Sequence, residues 1–393
     1  MAAGFTELPA TSVLSVVGTR PEVIKMAPVI NGLAGRRDFI SRVCAVGQHR
    51  EMLQQALAVF DIQPDYSCDV MRPRQNLAKL TAALTAAIDE AVEACEPDWI
   101  LAQGDTTTVL TASLVAFYRG VRFGHVEAGL RTGNLQHPFP EELNRRVADM
   151  VSSVCFAPTA HARDALIREG CDPARIHVTG NTIVDALHAI ARRPCPWGSG
   201  PLARVDAQRP IVLLTAHRRE SFGAPLRDIY LAVRDLAQAF ASQGVQFVYP
   251  VHLNPNVKDL ARELLSSLEN VLLLDPLDYV STVQLLRRSR LVLTDSGGIQ
   301  EEAPSFNVPV LVLRDTTERP EGLATGLVRL VGRDRGRIVA EATRMLREPP
   351  SATQGLLTAS PYGDGHAAER IIAVLQQRGS VNGPTMLEAS VPA

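Results

Sequence analysis

The sequence predicts an α/β protein made of two Rossmann-like domains in series. Short β-branched runs alternate with longer helical patterns through the first half of the chain, a Pro-, Gly- and Arg-rich stretch at residues 192–209 (RRPCPWGSGPLARVDAQR) interrupts them, and the same alternation then starts again. The chain has 393 residues, more than a single hydrophobic core sustains, since cores stop growing at roughly 250–300 residues.

Residues 12–17 (SVLSVV) read as a buried strand, and residues 21–35 as the helix that follows it. Residues 43–46, 99–102, 121–126, 154–156 and 176–178 continue the strands, with helical patterns at 77–95, 107–118, 141–150 and 160–168. After the interruption, strands are predicted at 211–215, 246–249, 271–274, 291–294, 310–313 and 327–330, again with helices between them. Strand–helix alternation at this spacing implies parallel sheets covered on both faces. Open sheets of this kind bind ligands beyond the carboxyl ends of their strands, so a cleft between two such halves is the expected place for chemistry.

Composition narrows the function. The charged fraction is 21% with a formal net charge of −2, which excludes a broad electrostatic surface for nucleic acid or membrane and leaves room only for local anion sites. Cys44, Cys68, Cys95, Cys155, Cys171 and Cys195 include no C-x-x-C pair, and a chain this long needs no disulfide staples, so reduced thiols are expected. The N-terminal MAAGFTELPA has no basic region followed by an apolar one. No apolar run approaches the roughly 18 residues of a membrane span. Together these features predict a cytoplasmic protein. No His/Cys/Asp cluster has metal-ligand spacing, so no required metal is expected.

The chemistry-bearing residues fall where strands end. Gly18-Thr19-Arg20-Pro21-Glu22 sets a glycine turn before a proline-led helix, which presents backbone N–H groups and Arg20 to an anion, with Lys25 further along. An ordinary turn with a solvated arginine fits the same residues. Asp105 stands at the next such turn, either as the cap of the following helix or as an acid/base group. Glu127 ends another strand among small residues. Glu141 opens a helix after His137-Pro138-Phe139-Pro140, where the dipole alone would favour a carboxylate. Acids at successive strand–helix junctions would converge on one mouth, and crowded carboxylates separate their pKa values as general acid and base work requires.

In the second half, His217 in Thr215-Ala216-His217-Arg218-Arg219 and His252 in Pro250-Val251-His252 occupy similar strand-end sites. Ser296, Gly297 and Gly298 let a phosphate approach the backbone N–H groups that open a helix. Glu302, one turn on, offers two acceptor oxygens to ribose hydroxyls. The stretch is not the dinucleotide G-x-G-x-x-G fingerprint and lacks the lysine of a P-loop.

Taken in order, GTRPE (18–22) with Lys25, GQHREML (47–53), QGDTTT (103–108), HVEAGLRTG (125–133), PFPEELNR (138–145), TGNTIVDAL (179–187), HRRE (217–220), PVHLNP (250–255), TDSGGIQEEAP (294–304) and RDTTERPE (314–321) make the chain resemble the non-hydrolysing UDP-N-acetylglucosamine 2-epimerases from about residue 12 to about residue 370. The resemblance implies the GT-B glycosyltransferase-type architecture with an interdomain cleft. Its domains would run over 1–178, completed by a C-terminal helix at 366–378, and over 179–365, leaving 379–393 as a loose tail.

The resemblance also implies interconversion of UDP-N-acetylglucosamine and UDP-N-acetylmannosamine without NAD or another cofactor, by elimination and re-addition of UDP through a 2-acetamidoglucal. Asp105, Glu127 and Glu141 match the family's catalytic acids and His217 its essential histidine. Arg20, Lys25 and Arg145 match basic groups near the phosphates and the active site, Ser296, Gly297 and Gly298 the diphosphate loop, and Glu302 the ribose ligand. Gln48, Glu51, Arg74 and His252 resemble a second, allosteric substrate site found in some members. A cytoplasmic homodimer serving cell-surface polysaccharide synthesis follows from the same likeness. One departure is Thr282, where the family often has an aromatic residue near the uracil. An epimerase for a related UDP-2-acetamido sugar, such as a 2,3-diacetamido uronic acid nucleotide, shares these motifs. A GT-B glycosyltransferase would share the fold and the UDP loop but need an acceptor pocket.

Overall fold

The computed structural model describes residues 10–47, 50–72, 75–195, 197–317, 319–356 and 360–379, with the side chains of residues 50, 51 and 219 outside that set. The chain splits into two compact units, Met1–Ala186 with Gly363–Ala393, and Leu187–Tyr362.

The first unit holds a parallel sheet of β1 (Thr11–Val17), β2 (Phe39–Gly47), β3 (Tyr66–Asp69), β4 (Trp99–Gln103), β5 (Arg122–Val126), β6 (Val154–Ala157) and β7 (Ile176–Val178), in the order β3-β2-β1-β4-β5-β6-β7. Its helices are α1 (Arg20–Ala34), α2 (Arg50–Val59), α3 (Leu77–Cys95), α4 (Thr107–Arg119), α5 (Glu141–Val151), α6 (Ala160–Arg168) and the start of α7 (Thr182–Ala191). The central strands are buried along their length, as a sheet covered on both faces requires: Val13, Leu14, Val16 and Val17 of β1 are fully buried, as are Trp99, Ile100 and Leu101 of β4. Helix α3 starts where the Asn76 side chain accepts the Lys79 amide at 2.9 Å, and it buries Leu84, Ala87, Ile88, Ala91 and Val92, the spacing of a helical stripe.

The second unit repeats the plan with β8 (Ile211–Thr215), β9 (Gln246–Pro250), β10 (Val271–Leu274), β11 (Ser289–Thr294), β12 (Val310–Val312) and β13 (Val328–Leu330), in the order β10-β9-β8-β11-β12-β13. Its helices are α8 (Ala224–Ala239), α9 (Pro255–Leu265), α10 (Tyr279–Arg288), α11 (Gly297–Glu302), α12 (Pro320–Ala324) and α13 (Arg335–Arg347). Val212, Leu214, Phe247, Tyr249, Leu291 and Leu293 pack with α8 and α13 side chains into its core.

The last helix, α14 (Ala367–Gly379), belongs to the first unit. The Asp185 carboxylate accepts the amides of Ala367 and Ala368 at 3.2 and 2.9 Å, which caps the helix. Ile371, Ile372 and Leu375 are buried, and a Cβ on Gly32 of α1 would come within 2.6 Å of Ile372 Cδ1, so the two helices meet closely. Of the 379–393 tail only Gly379 is among the described residues. All six cysteines are free thiols. Among the described residues no helix is long and apolar enough to cross a membrane.

In both sheets the strand order reverses next to the first strand of the unit, between β1 and β4 and between β8 and β11. Such a switch point is where open α/β sheets leave a crevice for ligands. The turns after these strands carry Arg20, Asp105, His217 and Ser296.

Candidate active site

In the first unit, Glu127 follows β5 with a backbone φ of 67°, left-handed for a residue that is not glycine. That conformation costs about 1–2 kcal/mol, and the structure sustains it around a buried, fully engaged carboxylate. Lys25 Nζ donates to Oε1 at 2.6 Å, Asn181 Nδ2 donates to the same oxygen at 3.0 Å, and the Gln103 amide donates to Oε2. Lys25 and Glu127 are both nearly buried, so their attraction acts in a low-dielectric setting.

Asp105 lies one strand over. The N-cap of α4 is Thr106, so Asp105 is not the helix cap. Its partly exposed carboxylate instead takes a hydrogen bond from Arg145, and its backbone carbonyl accepts Asn144 Nδ2 at 2.9 Å. Both partners stand on α5, whose first residue is the half-buried Glu141. The neighbouring Glu142 is fully buried and accepts the amides of Thr132 and Gly133 at 3.1 and 3.2 Å, so it braces a loop.

Arg20 is the first residue of α1 and half-buried. Behind it Glu22 is buried, with Oε2 accepting the amides of Gly18 at 2.6 Å and Thr19 at 3.3 Å. Burial raises its carboxyl from 4.5 to about 7 against the opposing pull of those amides. The turn is tight: a Cβ on Gly18 would stand 2.2 Å from Thr108 Oγ1.

In the second unit, His217 follows β8 and Asp295 follows β11, and these strands are paired Thr215 to Thr294. Asp295 is fully buried; its Oδ2 accepts the amides of His217 and Arg218, both at 2.8 Å, and its Oδ1 lies 3.6 Å from His217 Nδ1. The His217 ring stacks on His252 at 5.5 Å between centroids with 7° between planes. Burial lowers the His217 pKa, Asp295 opposes this, and His252 and Arg218 add to it. Ser296 is the N-cap of α11 and its amide is held by Thr294 Oγ1 at 2.9 Å. Gly297 is buried beneath Arg319, whose Cζ a Cβ at that position would meet at 3.3 Å, and Glu302 is buried at the far end of the helix. Thr282 lies in α10, where its hydroxyl donates to the Asp278 carbonyl at 2.7 Å.

The structure thus joins Lys25 with Glu127 and Arg145 with Asp105 in one unit, and in the other sets His217, with His252 stacked on it, beside Asp295, the residue before Ser296. Of the second-site residues, Gln48 and Arg74 lie outside the described residues, as does the side chain of Glu51. Gln103, Asn181, Glu22 and Asp295 each stand within motifs of the sequence, but neutral amides and buried acids carry no local signal of their partners.

The family described as UDP-N-acetylglucosamine 2-epimerase matches residues 31–376. A UDP-N-acetylglucosamine 2-epimerase of Yersinia pestis is 48% identical over 370 residues, covering 93% of this chain and 98% of that protein. One of Escherichia coli K12 is 46% identical over 372 residues, covering 93% and 98%. The crystal structure of UDP-GlcNAc 2-epimerase from Neisseria meningitidis bound to UDP-GlcNAc superposes with a TM-score of 0.86 at 42% identity, covering 93% of this chain and 100% of that one.

Proposed function

The chain belongs to the UDP-N-acetylglucosamine 2-epimerase family, whose members are enzymes that isomerise carbohydrates, and from that premise we propose that it interconverts UDP-N-acetylglucosamine and UDP-N-acetylmannosamine by elimination and re-addition of UDP. The C2 proton of the sugar is not acidic, so cleavage of the C1–O bond must lead or accompany its loss. A carboxylate takes the C2 proton, the C1–O electron pair leaves with UDP, and a C1=C2 double bond remains in a 2-acetamidoglucal. UDP then attacks C1 while an acid on the opposite face returns a proton to C2. The first step needs a base and stabilisation of the departing diphosphate.

The observation that carries this reading is the pair of acids at neighbouring strand ends, Asp105 on Arg145 and Glu127 on Lys25. Each is held by a cation in a set position, with Glu141 opening the helix that supplies Arg145. His217, Arg20 and the Ser296–Gly297–Gly298 loop would meet the diphosphate, and Glu302 the ribose. The same reading carries a cytoplasmic location and a homodimer activated by its own substrate; sedimentation tests the dimer and initial-rate curves the activation.

Proton NMR of UDP-N-acetylglucosamine with the enzyme in heavy water, with no acceptor added, tests the reaction. The expected result is both epimers as intact nucleotides with deuterium at C2. Release of free N-acetylmannosamine, or epimerisation without exchange, overturns the proposal. Transfer only when an acceptor is supplied would indicate a glycosyltransferase, and turnover of a 2,3-diacetamido uronic acid nucleotide alone would change the substrate.

A further inference from the structure

We propose that His125 is a buried, doubly protonated imidazolium that clamps the Gly104–Asp105 turn and thereby positions Asp105. The proposal rests on the reading above, in which Asp105 works at the sugar.

His125 lies on β5 with its side chain wholly buried. Its Nδ1 is 2.6 Å from Asp149 Oδ1 and its Nε2 is 2.7 Å from the Gly104 carbonyl oxygen. An ionised carboxylate and a carbonyl can only accept, and a neutral imidazole has a single N–H to give. With the proton on Nδ1 alone, the Nε2 lone pair would face the Gly104 oxygen; with it on Nε2 alone, the Nδ1 lone pair would face the carboxylate. Only the imidazolium satisfies both contacts.

The surrounding charges agree. On α5, Asp149 also accepts from Arg131 at 2.7 Å and from the Gly129 amide at 3.3 Å. Arg131, in the loop after β5, reaches Glu169 beyond α6 at 2.7 Å. Cys155 of β6 is the register partner of His125, and the Phe123 ring stacks near it. The buried Asp149 charge faces both His125 and Arg131, and the partly exposed Glu169 is shared by Arg131 and, at 3.5 Å, by Arg146 of α5. Burial works against charge on His125, but Asp149 and the Gly104 carbonyl outweigh it and hold its pKa above the ordinary histidine value.

Further contacts fix the same turn. Gly104 has a φ of 89°, its amide donates to Val126 O at 3.0 Å, and its carbonyl takes the His125 proton. The next residue, Asp105, is held through its carbonyl by Asn144 and through its carboxylate by Arg145. His125 touches no reacting atom in this scheme and is a positioning residue.

Two measurements test it on the full-length enzyme. Nitrogen NMR of histidine-labelled protein should show both His125 ring nitrogens protonated at neutral pH, where an ordinary histidine is mostly neutral. Asp149→Asn keeps the shape but removes the charge that stabilises the imidazolium; it should show a singly protonated ring and lose about 10²-fold in kcat with KM little changed, the size expected of a misplaced group. His125→Gln should show the same split. A singly protonated ring in the parent enzyme at neutral pH overturns the proposal, as does parental kcat in either folded variant. Asp105→Asn serves as the control: full turnover there would remove the reading of Asp105 while leaving the protonation state of His125 as measured.

Discussion

Lys25 Nζ sits 2.6 Å from Glu127 Oε1, so the first helix of the chain and the end of β5 meet in one buried ion pair. The lysine that follows an apparent anion turn is committed to a carboxylate. The Glu127 carboxylate is thereby held in one orientation, which suits a group that must accept or return a carbon-bound proton.

Glu127→Gln preserves size but removes the negative charge and one of the two acceptor oxygens that Asn181 and Gln103 donate to. Turnover should fall about 10²–10⁴-fold, the usual contribution of a general acid or base. Leaving one partner of a buried pair costs about 3 kcal/mol, so thermal unfolding should remain cooperative at a lower Tm. Circular dichroism and steady-state rates check this; parental turnover would remove Glu127 from the chemistry.

Gly18→Ala should disturb the turn before α1, because its Cβ would stand 2.2 Å from Thr108 Oγ1. Overpacking of this kind costs about 1–3 kcal/mol. Adding Thr108→Ala removes the nearest atom, although Thr108 Cβ remains at 3.2 Å, and should restore part of the loss. A double-mutant cycle by urea unfolding measures the coupling, and additive effects would contradict it.

Glu22 gives a pH signature. Its folded-state carboxyl titrates at about 7 against an ordinary 4.5, so the folded state holds this proton more tightly than the unfolded chain. Its contribution is fully present below about pH 4.5 and is lost as pH rises through about 7, amounting to about 3 kcal/mol at 1.36 kcal/mol per unit. Glu22→Gln should therefore be stabilised relative to the parent at pH 7.5 and not at pH 4. Parallel stability curves for the two proteins would refute the assignment.

His217 should report diphosphate binding. Its pKa is lowered by burial, which keeps the free ring neutral near pH 7, and a bound diphosphate would raise it. Near pH 6.5 the terminal phosphate of UDP also titrates, at about 6, so the share of His217 is a difference: proton uptake on UDP binding, from calorimetric enthalpies in buffers of different ionisation enthalpy, should be smaller in His217→Asn than in the parent. Equal proton uptake in the two proteins would place the diphosphate away from this ring.

Most strands and helices were legible from hydrophobic periodicity. Residues 77–95, 160–168, 211–215 and 271–274 match α3, α6, β8 and β10. Strand β3 was not read, because Tyr66–Asp69 is a four-residue edge strand with alternate residues exposed and no β-branched run. The acids at strand ends were visible as charges in turns. Their partners were not: Asn181 reaches Glu127 from the β7–α7 turn only because β7 lies in the same sheet, and His125 looks in sequence like any histidine inside a strand. Thr106, not Asp105, caps α4, a choice between adjacent cap-forming residues that local propensity does not decide.

The first unit is discontinuous: α14, encoded after the whole of Leu187–Tyr362, covers α1 and is tied by its amides to Asp185. Chains generally mature from the N-terminus as they leave the ribosome. Here the later-made unit is a single uninterrupted stretch and can close first. The earlier-made one must wait, with an apolar face of α1 uncovered, until Ile371, Ile372 and Leu375 have been synthesised.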